Sequence, residues 1–195
     1  MVRDPRAVML SQKQKWKRRK LGADFITPKE VIRLRINYHP ITIGKLWNAA
    51  ISAASQFETE PRILHLRYED LLANAQETVV QLSKFLNINY EPAMLLVPHA
   101  GSSRMADQKS ELGIRKSKPM GWLEKGLSES EVRICQSICG PNMKKHNYTP
   151  IEVKPNPAYL TAQYASFPFK IALALAFNLN RMRSMVDTIK RRLMK

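Results

Sequence analysis

The stretch RILHLRYEDLLANAQETVVQLSKFLNI restricts the fold more than any other part of the sequence. Pro61 precedes a short run, 62–68, that is apolar at its centre, and a run of that length behind a proline reads as a buried strand of a sheet. After the acidic pair Glu69-Asp70 the period lengthens, and Val79, Val80, Leu82, Phe85 and Leu86 form the inward stripe of a helix. Strand, acidic turn and helix in succession are an α/β pattern. The opening residues, MVRDPRAVMLSQ, repeat it: they start like the end of a buried strand and pass at Pro5 into a helix. Proline suits the first helical position, where its missing N–H would have no partner.

The other segments read mainly as helix. The first helix is expected over 5–20, with Val8, Met9 and Trp16 apolar among basic residues and Gly22 ending it. Thr27, Pro28 and Glu30 make a capping-box pattern, and 41–57 places Ile43, Leu46, Trp47, Ala50, Ile51 and Ala54 at helical spacing. Ser128 and Glu131 repeat the capping box ahead of an apolar face running from Val132 to Met143. Residues 87–121 are loop-rich. From about 151 the composition shifts to a Pro- and aromatic-bearing linker, then to a long helix with an apolar first half and a basic end. The expected organisation is one domain over 1–150, followed by a linker and basic amphipathic C-terminal helix over 151–195.

Only Cys135 and Cys139 occur, four residues apart and so one helical turn apart. That excludes a disulfide framework and does not fit the usual zinc or redox pairs, so the residues read as half-buried thiols and no metal is expected. Their scarcity leans toward a reducing compartment. The sequence shows no N-terminal apolar run with a cleavage site, and IALALAF is too short to span a bilayer. A cytoplasmic or membrane-associated protein is expected, or one of the Golgi lumen if an N-terminal anchor segment precedes these residues.

The 32 Lys and Arg against 16 Asp and Glu give a net charge of +16 and call for an acidic partner: nucleic acid, anionic lipid, or a phosphorylated or sulfated small molecule. A nucleic-acid binder would interleave aromatic and basic residues on one face. Here the basic residues scatter, with local peaks at 13–20, 115–118 and 181–195, so nucleic acid is the weaker reading. Residues 169–195 suit either a helix packed on the domain or a peripheral contact with an anionic membrane.

Two clusters could hold a phosphate. RDPRAVMLS sets Arg3 just past a strand end and Ser11 on the following helix; an Arg fork, a hydroxyl and a helix N-terminus together suit a terminal phosphate. The alternative pairs Arg3 with Asp4 and leaves Ser11 on the surface. IRKSKPMGW gathers Arg115, Lys116 and Lys118 in a loop that could close over a phosphorylated ligand, or be a solvated basic loop. Tyr68 stands just beyond a strand, where open α/β sheets bind their ligands, and is equally acceptable as a structural tyrosine. His39 and His99, in loops beside prolines, are minor candidates for a catalytic base, while His65 and His146 read as structural.

In that order, RDPRAVMLSQ, LRYEDLLAN and RKSKPMGW, followed by a helix ending in a Tyr, resemble the C-terminal half of sulfotransferases that use 3′-phosphoadenosine-5′-phosphosulfate (PAPS), over residues 1 to about 150. The resemblance, with the carbohydrate-directed and bacterial branch in particular, implies a three-layer α/β sandwich around a parallel sheet. It implies transfer of a sulfuryl group from PAPS to a hydroxyl of a carbohydrate or other small acceptor. It also implies roles: Arg3 and Ser11 on the 3′-phosphate, Tyr68 against the adenine side, and Arg115 with Lys116 closing on the same phosphate. Ser117 stands where cytosolic members carry Gly, and Met120-Gly121 where they carry Gly-Asp. The Gly-rich loop that holds the phosphosulfate in this family, and a catalytic base beside it, are not found in the sequence, which has seven glycines in total. The expectation is a truncated or fragmentary sulfotransferase, with a catalytically inactive nucleotide- or polyanion-binding protein as the alternative.

Overall fold

The structure, a computed structural model, describes residues 1–21, 26–99, 108–114, 121–124 and 126–179. In chain order the described elements are α1 (Pro5–Gln14), a 3-10 turn (Lys15–Leu21), α2 (Pro28–Asn37), α3 (Pro40–Ser55), α4 (Tyr68–Ala73) and α5 (Ala75–Phe85). A second 3-10 turn (Pro92–Leu95) leads to β1 (Pro98–His99) and β2 (Gln108–Leu112), then α6 (Gly121–Glu124), α7 (Glu129–Lys145) and α8 (Pro157–Asn178).

Side-chain caps set where several helices begin. The Asp4 carboxylate accepts the Arg6 N–H at 2.8 Å ahead of α1, and Thr27 Oγ1 accepts the Glu30 N–H at 3.3 Å ahead of α2. At α7 the box is reciprocal: Ser128 Oγ accepts from the Glu131 N–H at 3.3 Å, and Glu131 Oε2 accepts from the Ser128 N–H at 2.8 Å. Each such cap contributes about 1 kcal/mol.

The core lies between α1, α3 and α7. Gly44 brings α3 close to α7, since a Cβ there would stand 3.4 Å from the Ile138 side chain. The Gly44 carbonyl accepts from Cys139 Sγ at 3.4 Å in the same contact. Val132, Cys135, Cys139 and Met143 project from α7 into the core, Trp47 and Ile51 from α3, and Met9 and Leu10 from α1. Burying each large apolar side chain contributes roughly 1.5–3 kcal/mol. The helical spacing of α7 is realised almost residue for residue, and its two free thiols, expected half-buried, are fully buried. On α3 the buried face is narrower than expected: Trp47 and Ile51 are inside, while Leu46 and Ala50 face solvent.

The sheet departs from expectation. Val2 and Arg67 form one isolated parallel bridge, in which the Val2 N–H donates to the Leu66 carbonyl and the Tyr68 N–H to the Val2 carbonyl, both at 2.7 Å. The rest of 62–66 has no ladder, and the sheet formed by the described residues is the antiparallel pair β1–β2. A three-layer sandwich around a parallel sheet is therefore not what they build. A central strand needs backbone partners on both sides. Here 62–68 meets one neighbour, at Val2, and Ile63 is left exposed. The same shortage affects α5: Val79, Val80 and Leu82 are half-buried, but Phe85 and Leu86, expected inside, face solvent.

Chain 157–178 is also different. The expected linker is mostly helix, because Asn156 caps α8 through the Tyr159 N–H at 3.1 Å and Pro157 occupies the first turn. Pro168 lies inside it. The described part of the helix is largely apolar, and the expected basic end lies outside the described residues.

Glu131 ties these helices together from a buried position, accepting from Lys13 Nζ at 2.7 Å and from the Tyr38 hydroxyl at 2.6 Å. Burial alone would raise its pKa, but the hydrogen bonds from Lys13, Tyr38 and Ser128 outweigh burial and hold it below the usual value. Its folded pKa is thus lower than its unfolded one, so its contribution is complete above the ordinary glutamate range and lost as pH falls through the folded value. Glu131→Gln is expected to cost about 1–3 kcal/mol at neutral pH in urea unfolding. The gap to the native chain should close on acidification.

Candidate functional site

The site grows from the one parallel bridge. Because Val2 pairs between Leu66 and Tyr68, the next residues, Arg3 and Tyr68, leave adjacent segments side by side. The Arg3 guanidinium carbon sits 4.5 Å from the centre of the Tyr68 ring, a cation–π contact. The Arg3 carbonyl is held from behind by the Trp47 indole N–H at 2.9 Å, which fixes the backbone from which the guanidinium departs.

Arg3 and Arg6, two arginines of one tetrapeptide, have opposite fates. Arg6 is buried and forks onto Asp4, with Nε to Oδ1 at 3.0 Å and Nη2 to Oδ2 at 2.8 Å. Its Nη1 donates to Gln136 Oε1 at 3.1 Å and to the Thr149 carbonyl at 3.0 Å, and its guanidinium lies 4.3 Å from the centre of the Trp122 ring. Asp4 is therefore occupied twice over, by the Arg6 side chain and by the Arg6 N–H. The reading in which Arg3 pairs with Asp4 is overturned. Among the described residues no carboxylate forms an ion pair with Arg3, and its buried Nε has no hydrogen-bond partner. The cap also answers the helix-dipole expectation, because the positive end of α1 already faces a carboxylate, that of Asp4.

Glu69 joins the two turns. Its Oε1 accepts the Asp4 N–H at 3.1 Å and its Oε2 accepts the Tyr148 hydroxyl at 2.6 Å. Burial, reinforced by Glu69, pushes the Tyr148 pKa up, so the phenol stays a donor to that carboxylate. Arg67 covers the other side of the Tyr148 ring at 4.9 Å. Sequence reasoning assigned no role to Arg6, Glu69, Gln136 or Tyr148. A signal existed for Arg6: an Asp before Pro at a helix start is an N-cap, and a capping Asp is engaged already.

The remaining expected residues are less convergent. Ser11 is half-buried on α1. Arg115 and Lys116 lie outside the described residues; Trp122, on which their motif ends, is buried against Arg6. His39 is buried ahead of α3, with Nε2 3.1 Å from the Gln163 carbonyl and its ring beside Phe167, and burial lowers its pKa. His99 contacts the Gly113 carbonyl at 2.8 Å and Glu111 at 3.2 Å. Neither is part of the Arg3 site. His146 ends α7, as expected. Among the described residues no cluster of three or more His, Cys, Asp or Glu is arranged for a metal ion.

This division of labour gives a sharp contrast between neighbours. Arg6→Ala should cost about 3–5 kcal/mol in urea unfolding, because it leaves Asp4 buried and unpaired. Arg3→Ala should stay within about 1 kcal/mol of the native chain, since it breaks no ion pair.

A family model described as the sulfotransferase domain matches residues 1–147. No curated protein and no solved structure matches this chain. The match spans the bridge, both arginines of RDPR, the Tyr68–Glu69 turn and the whole of α7. Sulfotransferases form an α/β family that generally takes its sulfuryl group from PAPS and acts on hydroxyl-bearing acceptors. With three quarters of its length covered, this chain belongs to the sulfotransferase domain family.

Proposed function

We propose that the chain is the nucleotide-anchoring part of a PAPS-dependent sulfotransferase whose acceptor is a hydroxyl of a carbohydrate or other small molecule. The observation that carries this reading is Arg3, a guanidinium beside an aromatic ring with no carboxylate partner among the described residues, next to an arginine fully engaged in holding the fold. A half-buried cation of that kind favours a bound anion, and the ring beneath it favours a planar base. A nucleotide carrying a 3′-phosphate offers both.

In this reading Arg3 holds the 3′-phosphate, with Ser11 reaching it from α1, and Tyr68 lies against the adenine. Arg115 and Lys116, outside the described residues, are assigned to the same phosphate. PAPS supplies an activated sulfuryl group, and the family reaction moves it to the acceptor oxygen as that oxygen loses its proton. Such a transfer needs in-line geometry, cations on the non-bridging oxygens and a base. Residues Arg3, Ser11 and Tyr68 orient the nucleotide; they are not placed to take the acceptor proton. The Gly-rich loop for the phosphosulfate and the base beside it are not found in this sequence.

Isothermal titration with adenosine 3′,5′-bisphosphate and with 5′-AMP tests the anchoring role. The bisphosphate should bind more tightly, and Arg3→Ala should weaken it by tenfold or more, on the order of one charge-assisted hydrogen bond, with little effect on 5′-AMP. Equal losses for both nucleotides would remove Arg3 from the phosphate. Failure of the folded native chain to bind either would leave the inactive polyanion-binding alternative.

A further inference from the structure

Helix α8 is covered on one side only. Ile171, Ala174 and Asn178 are buried against the body of the protein, where the Asn178 amide donates to Asn37 Oδ1 at 2.8 Å and accepts from Arg33 Nη1 at 2.7 Å. The opposite side is apolar and open. Phe169, Leu173 and Phe177 follow at four-residue spacing, so they stand nearly one above another, and they are 78%, 43% and 45% exposed. The exposed alanines at 162, 165, 172 and 176 fill the space between and beside them. Lys170 is the one charged residue in Pro157–Asn178. A surface helix ordinarily shows water a polar face, and this one does not.

Two observations say what covers it. The sequence that follows, 180–195, carries Arg181, Arg183, Lys190, Arg191, Arg192 and Lys195 against a single acid, Asp187. An apolar face continued by a cationic segment matches an anionic lipid surface, where acyl chains take the first and headgroups the second. The net charge of +16 acts in the same direction and works against a second copy of the chain as the occupant, because like charges would face each other. Spanning is not the mode, since no described helix is long and apolar enough to cross a membrane.

We propose that the outward face of α8, centred on Phe169, Leu173 and Phe177, docks the protein flat on an anionic membrane. This does not rest on the transferase reading. Docking combines an apolar term, insensitive to salt, with an electrostatic one that salt screens.

Co-sedimentation of the full chain with vesicles of phosphatidylcholine alone, and of phosphatidylcholine mixed with phosphatidylserine, tests it. Binding to the mixed vesicles, weakened by salt, is expected. Phe169→Ser combined with Phe177→Ser should reduce that binding by about tenfold or more, while circular dichroism and the thermal midpoint show the fold retained. Leu173→Ser serves as a second variant if that pair alters the fold. No preference for the anionic vesicles overturns the proposal, as does full binding by folded variants, which would reduce the contact to charge alone. Sedimentation equilibrium adds the remaining outcome: a native dimer that the same serine variants dissociate, without loss of vesicle binding, would assign the face to a second copy and overturn membrane docking.

Discussion

The buried ion pair between Asp4 and Arg6 organises the rest of the molecule. One carboxylate caps α1, pairs with a guanidinium and fixes the turn after the parallel bridge; the guanidinium reaches Gln136 on α7, the Thr149 carbonyl beyond it and the Trp122 ring. Desolvating two charges is costly, and here every guanidinium nitrogen and both carboxylate oxygens have a partner, which is the condition under which such a pair is tolerable. Its geometry also fixes where Arg3 can go. With Asp4 occupied, the remaining arginine of the tetrapeptide turns to Tyr68.

Around that pair the molecule divides labour by neighbour. Glu69 ties the second turn to the first through the Asp4 N–H, and Tyr148 ties both to the chain after α7. Glu131 does the equivalent at the other end of α1, where Lys13 and Tyr38 converge on it. These carboxylates are engaged in structure, which leaves the cation Arg3 without a compensating acid among the described residues. An imbalance held by a rigid frame is what an anionic ligand requires, because the frame, not the ligand, carries the ordering cost.

What the sequence disclosed depended on whether the determining interactions are local. The Ser128 capping box and the buried stripe of α7 follow from residues within a few positions of each other and appear as expected, and at Thr27 the Oγ1 half of the expected box forms. The strand at 62–68 does not, because a strand is defined by neighbours, and only Val2 was available to it. The contact of Arg3 with Tyr68 crosses most of that same gap, and the motif resemblance, not periodicity, pointed to both residues. The first half of α8 escaped for another reason: Pro168 and the aromatic residues around it read as a linker, yet the helix capped by Asn156 runs through the proline.

The two thiols of α7 give the molecule a built-in gauge. Cys135 and Cys139 are fully buried in the core on α7, and the close neighbour Cys139 together with burial raises the Cys135 pKa, so Cys135 carries little reactive thiolate at neutral pH. A thiol reagent can therefore reach them only when the core around α7 opens. The rate at which they become modified measures how often the native state opens there, in the same core that holds Arg3 in place.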